Sequence, residues 1–184
     1  MRGARVFLLA VTAWSPILAQ EPDARPTVTA ASAARPADIR ALADAGKYDE
    51  AEQAARRLAS GARGEVFLVP LGDVLLSRGR LAAAESAFVR AVAQRAPDSL
   101  TAAVQLAVLH HERGDRERAA REFDRFIDVY NGNSSALTSR DFMAVAVACR
   151  YLGIANPQLF KDALKALDRA IDTDRTNADR KSVV

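Results

Sequence analysis

Residues 99–133, SLTAAVQLAVLHHERGDRERAAREFDRFIDVYNGN, hold two amphipathic helical patterns joined by Gly114. In the first half Ala103, Leu106, Ala107 and His110 recur at helical spacing, and in the second Ala119, Phe123 and Phe126 answer them. Asp98 or Ser99 supplies an N-cap. The pattern predicts two helices packed as a hairpin, with Gly114 taking the left-handed conformation between them.

Working outward, the same beat recurs. Gly46, Gly79 and Gly114 stand 33 and 35 residues apart, and each precedes an alanine (Ala51, Ala84, Ala119) by five positions. Residues 65–99 give Leu68, Leu71, Gly72 and Leu75 on one helix and Leu81, Ala84, Phe88 and Ala91 on the next. Pro70 conflicts with that first helix, since an interior proline costs about 3 kcal/mol, so the helix kinks or starts late, near Val69. Residues 37–60 give a short helix ending near Ala45 and a second from about Tyr48 to Ser60, with Ala51, Ala54, Ala55 and Leu58 on one face. A fourth unit is stretched: Phe142 to Leu152 is a helix ending at Gly153, but its matching alanine, Ala163, comes ten residues later. Asn156 and Pro157 account for the shift, predicting a helix that restarts there, runs to about Asp172 and presents Leu159, Leu164, Leu167 and Ile171 with nothing after it, so that some of that apolar face is left open.

Repeats of 33 to 35 residues cannot bury their apolar faces singly and must stack. Aromatics are 6% of the 184 residues while alanine, leucine and arginine abound, which suits helices packed through small side chains. The expected fold is all-α.

These residues resemble the tetratricopeptide repeat. Leu71 and Gly72 match its Leu-Gly step, Tyr48 its aromatic after the turn, Ala51, Ala84 and Ala119 its selective alanine, and Phe88 and Phe123 the large residue four positions on. Leu68 and Ala103 stand where the repeat has tryptophan, and its closing proline is displaced to Pro97. The resemblance covers about residues 37–176 and implies a right-handed α-solenoid of about four helix pairs. It further implies that the first helix of each pair lines a concave groove that binds a protein or peptide. That groove would show Val66, Val69, Asp73 and Leu76 from unit two, and Gln105, Val108, His111 and Glu112 from unit three. Unit four would add Arg140, Met143, Val147, Arg150 and Tyr151. A mixed apolar and charged trough suits an extended peptide or a partner helix.

Arg2 and Arg5 precede an apolar run from Val6 to Ala19, so residues 1–19 read as a secretory signal peptide. Those 14 apolar-run residues would make a helix of roughly 21 Å, short of the roughly 30 Å hydrocarbon layer, so no stable membrane anchor is expected. The protein is expected to be exported, to the periplasm or outside the cell, and bacterial. Residues 20–36, with Pro22, Pro26 and Pro36, read as a disordered linker. With a single cysteine, Cys149, no internal disulfide can form, and its apolar surroundings predict a buried, inert thiol.

The formal charge of +3 falls to +1 without Arg2 and Arg5, and basic residues are interleaved with acids, so no nucleic-acid partner is expected despite a pI of about 9.3. His110 and His111 point about 100° apart on a helix and cannot share a metal; His110 reads as packed and His111 as exposed. No phosphate loop, GxSxG elbow, paired cysteines or HExxH motif occurs, so no catalytic residues, cofactor or metal site are assigned and the chain reads as a non-enzyme. The alternative is the repeat portion of a larger exported enzyme, because residues 142–178 resemble parts of long bacterial repeat proteins that join such arrays to a metallopeptidase-like domain. A self-associating module is a third reading. Residues 177–184 are read as a tail. Its last six residues, DRKSVV, coincide with the translation of a common sequencing adapter followed by a stop, so 179–184 are read as non-native and the chain as C-terminally truncated.

Overall fold

The computed structural model describes Thr29 and residues 33–182, with side chains to residue 175. The signal-peptide reading of residues 1–19 therefore lies outside the described residues, as does most of the linker. Among the described residues there are eight α-helices and no strand. They are α1 (Pro36–Asp44), α2 (Tyr48–Ala59), α3 (Leu68–Ser77), α4 (Leu81–Ala93), α5 (Ser99–Glu112), α6 (Arg116–Asn133), α7 (Ser139–Leu152) and α8 (Leu159–Ser182). Each packs on the one before it, and α1, α3, α5 and α7 also touch one another in succession. The result is a tetratricopeptide-like α-solenoid of four hairpins.

The three glycines that set the beat close the first three hairpins in one way. Gly46, Gly79 and Gly114 have φ of 74°, 70° and 90°. In each case the next residue's N–H reaches back five positions into the first helix: Lys47 donates to Leu42, Arg80 to Leu75 and Asp115 to His110, at 2.9 to 3.0 Å. That pairing satisfies carbonyls the helix end would otherwise leave orphaned.

Small residues then let the paired helices approach. Ala51, Ala84 and Ala119 have no exposed surface. Gly72 is the tightest point, since a Cβ there would stand 2.3 Å from Cε1 of Phe88. Pro70 is accommodated by a late start: a short 3-10 turn over Gly64–Phe67 precedes α3, and Pro70 becomes its third residue, where no intrahelical N–H is required.

Ion pairs rivet neighbouring hairpins. Buried Glu52 of α2 meets Arg80 at 2.6 Å and Arg78 at 3.1 Å, both at the next hairpin's turn, and Glu85 of α4 meets Arg113 at 2.6 Å in the turn after that.

The fourth hairpin departs from the pattern. Thr138 caps α7 and exchanges hydrogen bonds with Asp141. Gly153 is not left-handed (φ −59°); it is needed because a Cβ would lie 2.8 Å from the Phe160 ring. α8 begins at Leu159, two residues after the expected start at Pro157, with Asn156 accepting from the Gln158 N–H. It then runs past Asp172 to Ser182, so residues 177–182, read as tail, continue the helix. No glycine or proline interrupts that stretch. Two apolar expectations also change: Leu81 is exposed, and Leu159 is half-buried against the second core cluster.

Gly72→Ala is expected to lose about 1–3 kcal/mol because the Phe88 ring has to move. Gly132→Ala, whose Cβ would meet nothing within 4 Å on α6, should instead gain up to about 1 kcal/mol from helix propensity. Urea unfolding of both variants checks the opposite signs.

Candidate functional site

The first helices α1, α3, α5 and α7 touch in succession, and the second helices do not do so to a comparable extent, so the array curves with the first helices inside. On that inner face, four charged residues from all four hairpins converge. Arg40 of α1 donates from Nη2 to Asp98 at 2.9 Å, and Nε of Arg140 on α7 lies 3.1 Å from the same oxygen. Nη2 of Arg140 stands 3.7 Å from Asp73 of α3. A link from the first hairpin to the start of the third is uncommon in an array whose units otherwise contact their neighbours, and it makes the quartet a cross-brace.

Backbone geometry explains how Asp98 reaches the centre. It is the residue before α5, but its φ of 62° is left-handed and its side chain does not cap the helix. Asp98 holds the N-cap position read from the sequence, but its carboxylate serves the two arginines and not the helix N–H groups.

Electrostatics mark the quartet as poised. Burial raises the Asp73 carboxyl to about 6, outweighing Arg140 and Arg40, and nearby Asp98 adds to the rise. Burial and then the charge of Arg140 lower the Arg40 pKa, against the pull of Asp98 and Asp73. Nε of Arg40 and Oγ1 of Thr101 are buried without a hydrogen-bond partner, while Nε of Arg140 has only its ion-pair contact with Asp98, which is not aligned as a hydrogen bond. Unpaired polar atoms in a half-open face are capacity for a ligand.

Beside the quartet, Thr101, Val104, Gln105, Arg140, Met143 and Val147 line a cleft of about 220 Å³ between α5 and α7. Met143 is 53% exposed on its rim.

No family model and no curated protein matches this sequence. Among solved structures, the crystal structure of MamA is similar, at 18% identity and a TM-score of 0.46 over 78% of each chain. The fold assignment rests on the helices and turns of this chain.

The sequence-derived groove residues fall into separate groups. Asp73, Gln105, Arg140, Met143 and Val147 gather at the quartet and its cleft. Leu76 and Val108 are half-buried and pack against the two core clusters. His111 and Tyr151 line a second hollow with Phe123, Leu152 and Ile154, at the other ends of α5 and α7. Here Tyr151 stacks on Phe123 at 4.8 Å, meets His111 edge-on at the same separation, and carries Arg150 over its ring at 4.6 Å. Glu112 is exposed and accepts a long hydrogen bond from the Tyr151 hydroxyl at 3.4 Å. Val66 is half-buried in the turn before α3, while Val69 is fully buried and lines nothing.

His111 is half-buried, not exposed as its sequence suggested. His110 is buried as expected, with Nδ1 2.7 Å from Glu122. Cys149 is buried, and burial together with Asp162 raises its thiol pKa, as an inert thiol requires. Among the described residues no cluster of three His, Cys, Asp or Glu is placed to hold a metal ion, and no helix is long and apolar enough to cross a membrane.

Arg40, Asp98 and Thr101 were not found from the sequence. A signal for Arg40 existed: Arg40, Asp73, Val108 and Val147 each stand six residues before Gly46, Gly79, Gly114 and Gly153. No comparable sequence signal marks Asp98, because its role follows from its backbone angle.

Because the folded carboxyl of Asp73 titrates near 6 and an ordinary one near 3.8, its contribution to stability is fully present below about 3.8 and lost as pH rises through about 6. Asp73→Asn should therefore stabilise the protein near neutrality, by about 1–2 kcal/mol after allowing for solvent screening of a one-third exposed side chain. The gain should vanish below about 3.8; chemical denaturation of both proteins at the two pH values checks it.

Proposed function

We propose that this chain is a non-enzymatic scaffold that holds an extended peptide or a partner helix along the face made by α1, α3, α5 and α7. The observation that carries the reading is the quartet of Arg40, Asp73, Asp98 and Arg140. A scaffold that only stacked its hairpins would gain stability from apolar residues there, whereas this face keeps a carboxylate raised to about 6 and a buried Arg40 Nε without an acceptor. The flanking cleft with Met143 and Val147 supplies apolar anchorage next to that charge. A bound segment can give the arginines an acceptor and seat one apolar side chain between α5 and α7. His111, Glu112, Arg150 and Tyr151 form a second contact zone farther along the same two helices. The apolar N-terminal run supports export to the periplasm or outside the cell, and the interleaved charges support a protein partner over a nucleic acid.

Panning a displayed random-peptide library against the purified chain tests this. Enriched peptides should combine an acidic or amide group with an apolar side chain, and Arg140→Ala and Val147→Glu should each weaken their binding by about tenfold or more, the effect of one lost desolvated contact. Circular dichroism should show both variants as helical as the parent. Peptides that bind parent and variants equally would place the binding surface elsewhere.

A further inference from the structure

Away from the concave face, α8 carries two apolar stripes. Ala163, Ala166 and Ala170 are buried where α8 packs on α7. Phe160, Leu164, Leu167 and Ile171 form the second stripe, about 100° around the helix, and remain 43%, 63%, 42% and 51% exposed. Four large apolar side chains in one row on a solvent-facing helix mark an interaction surface.

The charges beside that row say what covers it. Each apolar residue is followed directly by a charged one: Lys161, Lys165, Asp168 and Asp172. The two series share the spacing four, three, four, so the charges form an edge along the apolar row, ordered plus, plus, minus, minus. Turned end for end, this pattern is its own complement. An antiparallel two-fold pair centred at Ala166 brings Phe160 beside Ile171 and Leu164 beside Leu167, and it brings Lys161 beside Asp172 and Lys165 beside Asp168. With the axis there, every one of these pairs is one residue, about 1.5 Å, out of exact register, within reach of a lysine side chain. A parallel two-fold pair would instead put the two charged edges on opposite sides of the apolar seam, where they cannot meet. Lys165 also pairs within its own helix with Asp162 at 2.9 Å, a surface contact that a lysine readily shares.

We infer that the open face of α8 receives α8 of a second copy of this chain, in an antiparallel, two-fold symmetric pair centred near Ala166. The interface is isologous, so it closes on itself and leaves the concave faces of both copies free.

Sedimentation equilibrium of the full chain over a concentration series tests the pairing. The parent should pass from the mass of one chain to that of two as concentration rises. Leu164→Glu should remain at the mass of one chain throughout. K165E, which opposes carboxylates across the axis, should weaken association by about tenfold, and K165E/D168K, which restores opposite charges in exchanged positions, should recover the parent behaviour. All these positions are exposed, and circular dichroism should register no loss of helix. A parent that stays at one chain at every concentration would overturn the inference, as would association indifferent to Leu164→Glu or unrescued by the double exchange.

Discussion

Close approach of helices through small side chains is the constraint on which the molecule depends. Gly72 lets the Phe88 ring lie where a methyl group would stand, and Ala51, Ala84 and Ala119 are wholly enclosed in the corresponding helices of their own hairpins. With so few aromatics, the core cannot be filled by large interlocking side chains, so helix separation has to be small for packing to be dense. The left-handed glycines fix the turn that makes such an approach possible, and the turn in turn places Arg78, Arg80 and Arg113 where they meet glutamates of the preceding hairpin.

From that spacing follows the inner face. Once first helices stack directly on first helices, side chains six residues before each turn glycine come to a common surface, and Arg40 and Asp73 meet residues from hairpins far away in sequence. The quartet is expensive: its members lose part of their hydration, and Asp73 retains a proton up to about pH 6. Polar groups held at such a cost on an accessible face are suited to recognition, where a partner supplies the missing acceptors.

The outer end of the array is governed by different physics. α8 satisfies its contact with α7 through alanines and turns larger apolar residues outward. The ordered charges along that edge give this surface a direction and a self-complementary register, independent of whatever the concave face binds.

Most of the architecture was legible in the sequence because it is local. Glycine at a left-handed turn, alanine at a helix crossing and the 3.6-residue apolar rhythm act over a few residues, and they gave the helices in their observed order, although α7 begins at Ser139 and not Phe142, and α8 runs on past Asp172. Pro70 likewise announced a late start for α3, and the open row on α8 was visible in Leu164, Leu167 and Ile171. What only the tertiary structure decided was non-local. The left-handed backbone of Asp98 turned an expected cap into the centre of an ion cluster, Val69 went into the core, and His111 and Tyr151 separated from Arg140 into a second hollow. Residues that are distant along the chain meet only when the hairpins stack: the period marks Arg40 and Asp73 for the inner face, but neither it nor composition records that Asp98 and Arg140 meet them there.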